Sequence, residues 1–131
     1  MMRHEHNPWP WGAAFALSQA VRLEDARELV FLSGQASIDA EARPLHAGDM
    51  KGQLEVTLAN IRTVLAEAGM DLSHVVQLRY LVVDVDAFMT HSAVIAEAFR
   101  AAGVSPAATL LGVTRLFLPE LLVEIEVVAA R

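Results

Sequence analysis

Leu54, Leu58, Ile61, Leu65 and Ala68 recur at steps of four, three, four and three. That spacing draws one apolar stripe along a 3.6-residue helix. Asp49, after Gly48, stands where an N-cap is needed, and Gly69 stands where a C′ residue closes the last turn. Lys51, Glu55, Arg62 and Glu67 fall outside the stripe. A helix with one apolar side must lie on an apolar surface, and the flanking segments supply strands for it. Upstream, Leu29-Val30-Phe31-Leu32 is short and continuously apolar, as a central strand is. Downstream, residues 74–84 carry Val75, Val76, Leu78, Tyr80, Leu81, Val82 and Val83, a β-branched and aromatic run. The helix between them predicts a crossover from Gln35 to His74 and parallel pairing of its two strands.

The remaining elements follow from the same periods. Residues 15–23 and 28–33 read as strands joined by a turn at Asp25. Gly34 interrupts before residues 35–38, a third strand or a bulged continuation of the second. Residues 39–46 read as turn and loop, and Asp71-Leu72-Ser73 as a turn. Asp86 can cap a second helix whose stripe is Phe88, Ser92, Ile95 and Phe99; Gly103 ends it and Pro106 forbids its continuation. Residues 108–116 and 121–130 are the last strands. The order β-β-β-α-β-α-β-β predicts the α+β class, with a mixed six-stranded sheet and two helices on one face.

Two helices cover one sheet face and leave the other open. Apolar residues make up 54% of the 131, above the roughly 45–50% of ordinary globular chains. The excess favours burial of the open face by another copy of the chain. No run approaches the roughly 20 apolar residues of a membrane span. Net charge is −6, so a broad cationic face for nucleic acid is not expected. Cysteine is absent, which excludes thiol nucleophiles and Cys-based zinc sites. Met1-Met2-Arg3-His4-Glu5-His6 has no apolar signal core, so a soluble protein of the cytoplasm is expected.

Pro8 and Pro10 bracket Trp9, and Trp11 precedes Gly12, so residues 1–12 read as an irregular arm. We divide the chain into an arm at 1–14 and one domain at 15–131. Trp9 and Trp11 either cover the domain's own core or line a pocket or subunit seam. No serine sits in a G-x-S-x-G elbow, and there is neither a Walker loop nor G-x-G-x-x-G. His4, His6 and His46 read as solvated, and no metal site is expected. The chemically informative run is Val123-Glu124-Ile125-Glu126-Val127. Alternation puts Glu124 and Glu126 on one strand face with Leu122, and the β-branched residues on the other. Two carboxylates in a dry core are costly, so their face is a cleft, an interface or an ion-paired layer reaching Arg115 or Arg131. A carboxylate in such a place can hold or activate water.

Several segments together resemble the Rid family, also called YjgF-type or endoribonuclease L-PSP domains. They are Ser18-Gln19-Ala20-Val21, Phe31-Leu32-Ser33-Gly34-Gln35, the helix with Leu58-Ala59-Asn60-Ile61, and Asp71-Leu72-Ser73-His74-Val75-Val76. Val83-Asp84-Val85-Asp86-Ala87-Phe88, Pro106-Ala107 and Val123-Glu124-Ile125-Glu126 complete the set, in the family's order over about residues 15–131. The resemblance implies a chorismate-mutase-like α+β fold and a homotrimer with small-molecule clefts between subunits. It implies no metal or organic cofactor, and hydrolysis of enamine or imine intermediates to 2-keto acids and ammonia. Carried over by position, Glu124 handles the attacking water, and Ser33 and Gly34 give the pocket its backbone groups. Three positions depart. Ala108, in Pro106-Ala107-Ala108-Thr109, stands where the deaminases have a carboxylate-gripping Arg. Leu17 stands where they have Tyr, and Ser92-Ala93 where they have Asn.

Neither Ala nor Thr replaces a bidentate guanidinium, and loss of such a contact costs about 2–5 kcal/mol in binding an anion. Arg115 or Arg79 are the candidate replacements. The cleft expected from Leu17, Ala108, Leu110 and Gly112, with Thr109 among its ligand-binding residues, is small-lined and apolar, with Trp9 or Trp11 filling part of it. Two functions follow. One is an enzyme in which Glu124 activates water toward a neutral imine-like molecule. The other is a non-catalytic metabolite-binding trimer. A ribonuclease, suggested by the family's label, is the weakest reading, because the chain is acidic.

Overall fold

The computed structural model describes all of residues 1–131. Six strands and three helices follow one another: β1 (Met2–His6), β2 (Ala20–Glu24), β3 (Leu29–Ala36), α1 (Met50–Glu67), β4 (Val75–Val82), α2 (Val85–His91), α3 (Ala93–Ala102), β5 (Ala107–Gly112) and β6 (Val123–Ala130). Short 3-10 turns at Pro10–Phe15 and Leu72–His74 complete the regular structure.

Six strands are present, but they do not form the expected single six-stranded sheet: Met2–His6 is a strand outside the expected set, and residues 35–36 continue β3, the bulged alternative. A four-stranded sheet has the order β3-β6-β4-β5, and β1 and β2 form a separate antiparallel pair. The irregular reading of residues 1–12 is corrected at Met2–His6, which pairs from Met2 opposite Glu24 to His6 opposite Ala20. The strand expected over residues 15–23 starts later, because Pro10–Phe15 winds as a 3-10 turn that ends on Ala16 at φ 51°.

α1 forms as its stripe requires. The Asp49 carboxylate accepts from the Gly52 N–H at 3.0 Å, and Gly69 takes φ 71° just past the helix. Leu54, Leu58, Ile61 and Leu65 are buried against the sheet, while Ala68 is exposed. Each fully buried leucine of this kind contributes roughly 2 kcal/mol. The expected second helix is two. Asp84, not Asp86, caps α2 by accepting from the Ala87 N–H at 3.0 Å, and the chain breaks at Ser92 before α3. Gly103 ends α3 at φ 74°.

Sheet order corrects the crossover. β3 and β4 are not neighbours, because β6 lies between them and pairs antiparallel with both. The parallel pair is β4 and β5, linked through α2 and α3. Gly34 marks a bulged continuation: β3 runs through it with a register shift between Leu32 and Gln35. Along β6, Val123, Ile125 and Val127 are buried in the core, and Glu124, Glu126 and Val128 face the other way. The opposite face of the sheet is uncovered in one chain and carries Phe31, which is 72% exposed, and Leu29. No helix is long and apolar enough to cross a membrane.

Candidate functional site

Leu17, Ser18, Pro106 and Ala107 bring the start of the chain to the sheet edge. Ser18 bridges in parallel to Ala107, and its N–H donates to the Pro106 carbonyl at 3.0 Å. This brings Leu17 to the start of the edge strand β5, which carries Ala108. Arg100 of α3 donates to the carbonyls of Ala13 and Ala14 at 3.1 and 2.9 Å, which fastens the Trp11–Phe15 turn to the helix below it.

These elements enclose a cavity of about 260 Å³. Leu17, Ala108, Thr109 and Leu110 border it, as do Trp11 and Phe15 from the turn, Tyr80 from β4, and Phe88, Ser92 and Ile95 from the helices. Neither Trp9 nor the expected Gly112 borders it, and both indoles are more than half exposed. Twelve of the fourteen lining residues are apolar, and none is Asp, Glu, Lys, Arg or His. Leu17, Ser92 and Ala108, which lie far apart in sequence, therefore meet at one cavity.

Ser33, Gly34 and Glu124 assemble elsewhere. Leu81 of β4 lies opposite Glu124 on one side and Leu111 of β5 on the other. Ala108 is three residues from Leu111, so alternation places it on the opposite face from Glu124. Two strand spacings, roughly 10 Å, also separate Glu124 from β5. Within one chain the carboxylate and the cavity lie on different faces of the sheet.

Glu124 is held by its neighbour across the bulge. A Cβ built on Gly34 would fall 2.6 Å from Glu124 Cδ, so the carboxylate fills the space that glycine leaves. Burial raises the pKa of Glu124, and the charge of Glu126 raises it further. The expected ion pair with Arg115 or Arg131 does not form. Arg79 Nη1 lies 3.5 Å from Glu126 Oε2, Arg131 binds Glu28 and the Gly69 carbonyl, and Arg115 is exposed. Neither Arg79 nor Arg115 borders the cavity, so neither places a cation beside Ala108.

Tyr80, Phe15 and Met89 are lining residues that sequence reasoning missed, and Phe88 and Ser92 were assigned there to a helix stripe. The signal for Tyr80 is its two-residue step from Leu78, which aims both at the helices. Its place opposite Leu110 depends on the parallel register of β4 and β5. The Tyr80 and Phe88 rings lie 4.9 Å apart, tilted by 46°. Burial pushes the Tyr80 phenol well above its ordinary pKa.

A family model described as "Endoribonuclease L-PSP" matches residues 10–131. The chain is 33% identical to the RutC family protein PH0854 of Pyrococcus horikoshii, over 95% of this chain and 92% of that one. It is 29% identical to the 2-iminobutanoate/2-iminopropanoate deaminase of Homo sapiens, over 68% of this chain and 63% of the relative. Among solved structures, the Rid family protein YyfB from Yersinia pestis superposes with a TM-score of 0.87 at 32% identity, covering all of both chains.

Proposed function

The chain belongs to the endoribonuclease L-PSP family, the Rid (YjgF) group, and on that premise we propose that it is a cytoplasmic homotrimer with small-molecule clefts between subunits, where Glu124 handles water in the hydrolysis of an imine, an enamine or a related reactive metabolite. One observation carries this reading: Glu124 is a carboxylate of raised pKa, fixed over Gly34 on an uncovered face, with no ion pair of its own. A second copy docked on that face with its β5 edge inward would bring its own cavity against Glu124. The exposed Phe31 and Leu29 support such docking, since apolar surface of this kind is stabilised by burial.

The chemistry needs no cofactor. Glu124 takes a proton from water as its oxygen bonds to the imine carbon. Glu124 passes that proton to the nitrogen to give a carbinolamine, then relays the hydroxyl proton to the same nitrogen as the C–N bond breaks, and ammonia and a carbonyl compound leave. A relative named as a 2-iminobutanoate/2-iminopropanoate deaminase supports this class of reaction. The deaminases' carboxylate-binding Arg has no counterpart, because Ala108 stands in its place, so the substrate is not a 2-imino acid gripped as they grip it.

The second reading, a non-catalytic metabolite-binding trimer on the same fold, is favoured by the cavity wall. Ala108, Leu17 and Ser92 supply none of the charge or planar polar contact that the resemblance leads one to expect. Ribonuclease activity is disfavoured by the net charge of −6.

Ammonia release from neutral and carboxylate-bearing imines, generated in situ, tests the first reading. Activity of the wild type that falls at least a hundredfold in Glu124→Gln supports it. Equal activity in the variant removes Glu124 from the reaction, and none in either leaves the binding trimer. Sedimentation equilibrium tests assembly: three copies are expected for the wild type and a smaller species for Phe31→Glu, whereas a wild-type monomer overturns the cleft.

A further inference from the structure

Tyr80 borders the apolar cavity beside β5, and its hydroxyl bonds to no other residue of the chain. We propose that this cavity binds a neutral aromatic molecule of one to two rings, which exchanges a hydrogen bond with the Tyr80 hydroxyl. The inference rests on reading the cavity as the ligand end of the proposed site, and it names the ligand class.

Size comes first. An apolar cavity of roughly 150 Å³ admits benzene, and this one, at about 260 Å³, has room for a second fused ring. Its wall suits flat apolar surface, since Trp11, Phe15 and Phe88 offer aromatic rings and Leu17, Ile95 and Leu110 fill the rest. Ring pairs gain energy beyond simple area burial when offset or tilted.

Charge comes next. No ionised side chain of the same chain borders the cavity, and the Glu124 carboxylate that a second copy would bring is itself an anion, so a ligand carboxylate entering it sheds water without a counter-charge. A neutral ligand incurs no such cost.

The polar groups then orient the ligand. The Ser92 hydroxyl donates to the Met89 carbonyl at 3.2 Å, so its proton is already used. Thr109 lies on the exposed rim. Tyr80 is different, because it is half-buried in the apolar wall, its ring packs against Phe88, and its hydroxyl bonds to no other residue of the chain. With no partner in the chain, this hydroxyl is free to bond a ligand group that reaches it, and in an apolar wall such a bond orients the ligand. Burial keeps the phenol protonated, and it can donate to a ligand oxygen or accept from a ligand N–H.

Calorimetric titration of the full chain with indole, indene and indole-3-carboxylate tests this. Indole and indene share shape, but only indole carries an N–H. Both neutral probes should bind, and the carboxylate should bind at least tenfold more weakly than indole. Tyr80→Phe should weaken indole by roughly five- to tenfold and leave indene unchanged. Ala108→Phe, which fills the cavity from β5, should abolish binding of both, with thermal melting confirming that each variant folds. Failure of indole to bind, equal binding of the carboxylate, equal loss of indole and indene in Tyr80→Phe, or unchanged binding in Ala108→Phe each overturns the proposal. Glu124→Gln separates it from the proposed activity, because indole affinity should survive that change. Indole binding without imine hydrolysis upholds the ligand class and removes the enzyme; hydrolysis without indole binding or competition does the reverse.

Discussion

The Glu124 side chain occupies the space that a Cβ at position 34 would need: built on Gly34, that atom would fall 2.8 Å from Glu124 Cγ and 2.6 Å from Cδ. The bulge of β3 and the carboxylate of β6 are one unit. Gly34 does not have a positive φ, so alanine is excluded there by the neighbour and not by its own backbone.

Gly34→Ala is therefore expected to push the Glu124 carboxylate out of place. The stability cost should be about 1 kcal/mol, and imine hydrolysis should fall nearly as far as in Glu124→Gln. In a Glu124→Ala background the same change should cost little, because the obstructing atoms are gone. Urea unfolding of the four proteins measures this coupling, and strictly additive costs would show that the two residues do not share the space.

Glu124 and Glu126 make stability depend on pH in a particular direction. Burial first, and then the Glu126 charge, raise the pKa of Glu124. In the window between its unfolded value and the raised one, the native state binds more protons than the unfolded state. The Glu124 contribution to stability thus falls as pH rises from about 4.5, its ordinary value, through the raised pKa. Glu124→Gln should gain thermal stability relative to wild type at pH 7 and lose that advantage at pH 4. Glu126→Gln should lower the Glu124 pKa, read from the acid limb of the rate profile or from its side-chain carbonyl shift. Arg79→Ala should raise it, by freeing the Glu126 charge. A melting difference that does not vary with pH would refute the sign.

Gln53 is buried at the start of α1 and uses its whole amide. It donates to the carbonyls of His46 and Glu120 at 3.1 and 2.9 Å and accepts from the Leu122 N–H at 2.8 Å. Those bonds tie the loop before α1 to the segment that leads into β6, one residue short of Val123. Gln53→Ala leaves buried backbone groups without partners and should cost about 2–4 kcal/mol in urea unfolding. Gln53→Glu keeps the shape but removes both donors, and should be no better. Wild-type stability in either variant would show that water replaces the amide.

These cases show what was legible in advance. α1 was readable because its stripe, its Asp49 cap and its Gly69 terminator are all local signals. The alternation of Val123, Ile125 and Val127 with Glu124 and Glu126 was readable for the same reason. β1 was not, because Arg3, His4 and Glu5 carry no apolar pattern, and their strand exists only through pairing with Ala20–Glu24. Asp84 and Asp86 are both residues that can cap, and the structure uses the first, with Asp86 in the first turn. The insertion of β6 between β3 and β4 is a long-range outcome without a local mark. Leu17, Ser92 and Ala108 could be flagged singly, but their meeting at one cavity depends on the Ser18–Ala107 bridge and on the break between α2 and α3.

Ala108 marks the position where a cation would change the ligand. It lies on β5 at the cavity, beside Leu17 and within an apolar wall. Ala108→Arg would place a guanidinium among Trp11, Phe15 and Phe88, with loss of hydration and no resident anion. A destabilisation of about 1–3 kcal/mol is expected, moderated by stacking on those rings and by snorkelling toward the rim. A ligand carboxylate would supply the missing partner. Affinity for a simple 2-oxo acid such as 2-oxobutanoate should therefore rise by about tenfold or more, and affinity for indole should fall. Adding Leu17→Tyr should strengthen the anion further, because a phenol beside the guanidinium donates a second bond. Calorimetry on the single and double variants reads both changes. No gain for the 2-oxo acid would mean that position 108 does not face the ligand, and the cavity would then lose its claim to be part of the site.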